Sequence, residues 1–136
     1  MVMAIDPGRD KCGLVVMDKT GKIKLQNVIE TSTLKSTVLE MINHFDLQLI
    51  ILGNGTTSSS AKEMISNAIS AANKDIQIKL VDERHTTEEA RKLYWQKNPP
   101  TSWRRFLPTS MQVPPKPVDD LVAEILARRF LLTNLE

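Results

Sequence analysis

The chain opens on short, β-branched apolar runs. Residues 2–6 (VMAID) and 13–18 (GLVVMD) read as strands, and a KTGK turn at 19–22 leads into a third run, 23–30, where Ile23 and Leu25 alternate with polar positions. Two short links between three strands predict an antiparallel meander. Leu34, Val38, Met41, Ile42 and Phe45 then recur at helical spacing, with Thr31–Thr33 as N-cap candidates. Residues 47–52 are apolar except for Gln48, which suits a strand buried on both faces.

After a polar GNGTTSSS loop, Ala61, Met64, Ile65, Ala68, Ile69 and Ala72 mark a second amphipathic helix. Ile76, Ile78 and Leu80 alternate into a fifth strand ending at Val81. Thr86-x-x-Glu89 has the form of a capping box, so a third helix should start at Thr86 or Thr87. The final helix should present Val118, Leu121, Val122, Ile125, Leu126 and Phe130 on its inner face. A meander followed by alternating helices and strands predicts one three-layer α/β domain over 1–136. Its mixed sheet would have three antiparallel strands, then two parallel ones, flanked by helices.

Composition fits that fold and removes other classes. A length of 136 residues suits one domain, and 41% hydrophobic residues are too many for wholesale disorder. The apolar run Met1–Ile5 stops at Asp6, too short for a signal peptide or a membrane span, so no membrane partner is expected. Cys12 is the single cysteine and His44 and His85 the only histidines, which disfavours a His/Cys metal cage and points to a reducing cytoplasm.

Three acids stand at the ends of predicted elements: Asp6 after the first strand, Glu83 after the fifth, and Asp119 at the start of the last helix. Ligands bind at strand ends on one side of α/β sheets. Three carboxylates there would suit Mg²⁺ or Mn²⁺, and a two-metal site there would act on a phosphodiester. Each also has a plainer reading. Asp6 before Pro-Gly fits a turn, Asp119 fits a helix cap, and Glu83 beside Arg84 fits a surface ion pair.

The segment AIDPGRDKCGLVV resembles the D-x-G first-strand motif of RNase H-like nucleases. VDERHTTEEA is similar to the D-E-R-x-T-T signature of the YqgF (RuvX) family, and PVDDLVAEILARRFL to that family's last helix. The motifs occur in the family's order across nearly the whole chain. The resemblance implies an RNase H-like fold and metal ligands at Asp6, Glu83 and Asp119, with Arg84 holding a phosphate or orienting a carboxylate. It implies a metal-dependent nuclease of the kind linked to processing the pre-16S rRNA 5′ end in ribosome biogenesis. The chain departs from the family in carrying Gly53-Asn54-Gly55-Thr56 where Gly-Leu-Pro is usual, and it has no acid between Asp46 and Glu63.

A net charge of +2 conceals a partition. Residues 91–117 hold six bases and no acid, leaving −4 on the rest, and six of the seven prolines fall in 99–117. Tyr94, Trp95, Trp103 and Phe106 lie among those bases. Cations neutralise phosphates while rings stack on unpaired bases, so a Pro-rich basic loop at 98–117 is expected to grip nucleic acid. Lys97, Trp103, Arg104, Arg105 and Phe106 are the contacts expected there, with core packing the other reading for Tyr94 and Trp95. The expected partner is RNA (pre-rRNA) or branched DNA, bound by a monomer or a homodimer. The alternatives are a Holliday-junction-resolvase-like endonuclease, a non-catalytic nucleic-acid-binding module and, more remotely, an ATPase lobe sharing the D-x-G strand.

Overall fold

The computed structural model describes residues 1–55, 57–82, 86–97 and 119–135, without the side chains of 86, 87, 119 and 132–135. Strands β1 (Val2–Asp6), β2 (Lys11–Met17), β3 (Ile23–Glu30), β4 (Leu49–Gly53) and β5 (Gln77–Val81) form one sheet in the order β3-β2-β1-β4-β5. β1, β2 and β3 pair antiparallel, while β4 and β5 join β1 in parallel. Helices α1 (Leu34–His44), α2 (Ser58–Ala72), α3 (Thr86–Lys97) and α4 (Asp119–Leu135) complete the described elements. This is the expected mixed five-stranded sheet with helices on both faces.

Strand alternation decides which helix meets which residue. Met3, Ile5, Leu14, Val16, Ile50 and Leu52 face α1 and α2, where they pack on Leu34, Val38, Ile42, Ala61, Ile65 and Ala68. Ala4, Val15, Met17 and Ile51 face the other way, against Ala90 of α3 and Leu121, Val122, Ile125 and Leu126 of α4. Ile50, Ile51 and Leu52 are wholly buried, so β4 is covered on both faces as its unbroken apolar run predicts. Each such aliphatic side chain contributes about 1.5–3 kcal/mol of burial.

Element boundaries differ from the apolar pattern where backbone bonding extends beyond it. β2 starts at Lys11 because its ladder runs on to Glu30 of β3. α2 starts at Ser58, ahead of Ala61, because Ser58 N donates to Gly55 O and Ala61 N to Thr57 O. Parallel pairing of β4 with β1 starts at Leu49, and just before it Gln48 N donates to Met1 O at 2.9 Å. Thr31–Thr33 form a 3₁₀ turn with no side-chain cap. α3 starts at Thr86 as expected, and Glu89 Oε1 accepts from Arg129 Nη2 of α4 at 2.7 Å. α4 departs most, for Leu121–Ala127 are buried all round rather than on one inner face.

A side chain holds the second turn of the meander. Between β2 and β3, Asp18 Oδ1 accepts from Thr20 N, Thr20 Oγ and Lys22 N at 2.9, 2.6 and 3.0 Å, and Gly21 takes φ 88°. The Thr20 hydroxyl, then the Lys22 amide, hold the Asp18 carboxyl below its ordinary range. Helix α2 stops on Asn73, in the left-handed region at φ 53°, ψ 44°. Asn73→Gly removes the side-chain penalty of that region against a smaller entropic loss. Its expected effect is a stabilisation of about 0.5 kcal/mol, read as a higher urea midpoint at unchanged slope. A lower midpoint would refute it.

Candidate active site

Asp6 closes β1, the central strand, directly after three wholly buried residues, and is itself half-buried. It shares the Ala4 face of the sheet, the one carrying α3 and α4. Its cross-strand partner on β2 is Gly13, and on β4 Gly53 follows Leu52, the partner of Ile5. The carboxylate is therefore flanked on both strands by residues without side chains. β1, β4 and β5 run parallel, so their carboxyl ends emerge at one edge. From β1 the chain first builds outward through β2 and β3, then returns to the opposite side of β1 as β4. Asp6 thus stands at the switch point where such sheets open a ligand crevice.

The loop leaving Asp6 is tightly fixed. A Cβ on Gly8 would lie 2.1 Å from Lys11 O, so the turn requires glycine. Thr31 ties the same loop to the end of β3, its Oγ donating to Gly8 O at 2.8 Å and its N to Asp10 O at 2.8 Å. Cys12 Sγ lies 3.3 Å from Thr31 Oγ, on the α1/α2 side of the sheet and away from the Asp6 face. At the neighbouring strand ends, Asn54 N donates to Val81 O at 3.1 Å, and Arg129 Nη1 to Asp82 O at 3.0 Å. The second bond ties the residue before Glu83 to α4.

Asp119 is the first residue of α4. Gln26 of β3 shows where that helix begins. It stands in the row Ala4–Val15–Gln26, adjacent to the row of Asp6 and Gly13 and on the same face. Its Nε2 donates to Asp120 O and to Glu124 Oε1, both at 3.0 Å. The structure thus brings the start of α4 onto the sheet face that carries Asp6. The placement of Glu83 and the side chain of Asp119 lie outside the described residues, as do Arg84, Trp103, Arg104, Arg105, Phe106 and the basic segment 98–117. Among the described residues no three His, Cys, Asp or Glu side chains gather as a metal-sized cluster.

Lys97, expected to touch nucleic acid, places its Nζ 2.7 Å from Glu124 Oε1. Trp95 is buried and meets Tyr94 edge to face at 5.0 Å, the packing arrangement. Glu124 is the only buried charged residue among those described, and Arg128 Nε also reaches it, at 3.1 Å. Burial pushes its carboxyl up, but hydrogen bonds from Lys97, Arg128 and Gln26, with the Lys97 charge, outweigh this and hold it below its ordinary value. A depressed folded pKa stabilises the fold above the unfolded value, about 4.3, and that contribution is lost as pH falls through the folded pKa. The urea midpoint of the wild type should fall below about pH 4.3, and more steeply than that of Glu124→Gln. Equal acid slopes would contradict this.

Sequence reasoning passed over Gly13, took Gly53 only as a departure from the family pattern, and passed over Gln26 and Glu124. The first two matter through cross-strand register, the others through pairing across 98 residues of chain.

Residues 1–87 match the Tex protein YqgF-like domain family, which is well over half of the chain. The chain belongs to that family. Its YqgF-like domain is 28% identical over 90 residues to the protein YdcI of Bacillus subtilis (strain 168), covering 60% of this chain and 12% of that protein. The chain therefore spans about an eighth of the length of that curated relative. Among solved structures it resembles Thermus thermophilus RuvC at a TM-score of 0.50 and 15% identity, over 96% of this chain and 95% of that one. The fold is RNase H-like. A weaker likeness, at a TM-score of 0.48 and 15% identity, is to a mutant nuclease domain of the large terminase subunit gp2 of bacterial virus Sf6, with manganese and beta-thujaplicinol. It covers 60% of this chain and 36% of that one. Among the described residues, no helix is long and apolar enough to cross a membrane.

Proposed function

We propose that this YqgF-like domain is a divalent-metal-dependent nuclease acting on structured RNA, with the 5′ end of pre-16S rRNA as the substrate class, in a cytoplasmic setting. The observation that carries the reading is Asp6, a carboxylate at the switch point of the sheet, on the face where α4 begins with Asp119.

The donor set suits Mg²⁺ or Mn²⁺. Its members are carboxylates, the sole cysteine faces the other side of the sheet, and glycines flank Asp6 on both neighbouring strands. Hard cations take charged oxygen ligands and need room for water and phosphate oxygens. Asp6, Glu83 and Asp119 would hold the metal. When bound, it would supply charge stabilisation for an attacking water and a leaving oxygen. The chain's own part is to fix Asp6 on a buried strand and to present a basic, aromatic segment at 98–117 to the polyanion. Arg84, Trp103, Arg104, Arg105 and Phe106 would make those contacts, with cations on phosphate and rings on bases. Lys97 would act at the base of that segment through Glu124.

The test is cleavage of a labelled pre-16S-like RNA and of a four-way DNA junction, with Mg²⁺, Mn²⁺ or chelator, by wild type and Asp6→Asn. Metal-dependent RNA cleavage lost in the variant supports the reading. Junction cleavage alone would instead make it a resolvase-like endonuclease. Binding without cleavage, unchanged in the variant, would make it a non-catalytic nucleic-acid-binding module.

A further inference from the structure

A buried carboxylate, paired with two half-exposed cations and an amide, lies beside the site. Glu124 is 2% exposed and receives Gln26, Lys97 and Arg128 at 3.0, 2.7 and 3.1 Å. These partners come from β3, the end of α3 and the next turn of α4. Gln26 uses one amide nitrogen for two acceptors, Glu124 Oε1 and the Asp120 carbonyl. Replacing such a cluster by apolar groups usually costs little stability, so stability alone does not account for it. Geometry gives it another use. Gln26 sits on the Asp6 face, one row from Asp6, and grips the backbone of the residue directly after Asp119. A helix packed on aliphatic side chains alone can slide or rotate by small steps, whereas a hydrogen bond to a carbonyl in its first turn fixes both coordinates.

We propose that Gln26, locked in place by Glu124, is a positioning residue that sets the first turn of α4, and so Asp119, in register with Asp6. This role rests on the nuclease reading for its purpose. The anchor itself rests on the two 3.0 Å hydrogen bonds. Lys97 extends the device: it is the last residue of α3, so its ion pair with Glu124 fixes the chain where segment 98–117 departs.

Three variants separate positioning from stability. Gln26→Met keeps side-chain length and removes both hydrogen bonds. Gln26→Met with Glu124→Met also removes the buried carboxylate, which should restore the melting temperature. Lys97→Arg keeps the ion pair. Mn²⁺ affinity is read from the free-ion spin-resonance signal, and the α4 anchor from amide exchange over 119–124 against 128–131. In Gln26→Met, Mn²⁺ binding should weaken about tenfold or more, the size of effect seen when a partner of a metal ligand is lost. Exchange over 119–124 should rise about fivefold with 128–131 unchanged. The double variant should regain stability but not affinity, and Lys97→Arg should match the wild type.

Affinity within twofold of wild type in Gln26→Met, or its recovery together with stability in the double variant, would overturn the positioning role. A wild type that binds no Mn²⁺ would overturn the metal site and this role with it. The exchange comparison would then still report whether Gln26 anchors α4.

Discussion

Asp6→Asn should lower metal-dependent cleavage by roughly 10³-fold or more, about 4 kcal/mol of transition-state stabilisation. Asparagine has nearly the volume of aspartate, and β1 stays pinned by Met3, Ala4 and Ile5, none of which is exposed to solvent. The change therefore removes one negative charge and one charged oxygen donor while leaving the strand in place. The loss should appear in kcat, with KM for nucleic acid nearly unchanged, because substrate grip is assigned to the basic segment. Circular dichroism should show the wild-type spectrum. Residual cleavage above about a tenth of wild type would remove Asp6 from the site.

Gly8→Ala should be the most damaging small substitution in the β1–β2 link. The added carbon would stand 2.1 Å from the Lys11 carbonyl oxygen and 3.3 Å from its carbon, contacts that only backbone movement relieves. That movement strains the Asp6–Gly13 pairing on one side and the bonds from Thr31 to Gly8 O and Asp10 O on the other. Overpacking against backbone costs about 3 kcal/mol, or about 10 °C in Tm for a domain of this size. Activity should fall further than stability explains, since the displaced loop follows Asp6 directly. A melting temperature within about 2 °C of wild type would show that the turn relaxes freely.

Much of the fold was legible from apolar spacing. The short apolar runs in 2–6 and 13–18, the alternation in 23–30 and the apolar run ending at Leu52 signalled a three-stranded meander followed by a strand covered on both faces. That signal is strong because burial on one face or two leaves a direct trace in the residue order. α2 was harder to bound, since its first turn, Ser58–Ser60, is held by backbone bonds that leave no apolar mark. α4 misled for the opposite reason. Glu124 looks like a solvent-facing position in VDDLVAEIL, yet Lys97, Gln26 and Arg128 satisfy it in the interior.

Asp6 was legible as a candidate because an acid ending an apolar strand before Pro-Gly is a local pattern. Its setting was not, because Gly13 and Gly53 become its neighbours only through antiparallel and parallel register. The charge partition also meant less for Lys97 than its neighbours suggested, since an ion pair formed across 27 residues is invisible in a count.

The sequence by itself determined the order of elements, the apolar faces and the acids at strand and helix ends. These depend on residues a few positions apart, where period and capping chemistry operate. Only the tertiary structure decided that Asp6 lies between two glycines and that Gln26 holds the first turn of α4 on its face of the sheet. Those relations join residues up to 94 positions apart, and their partners are chosen by sheet register and helix packing, which no local window of sequence contains.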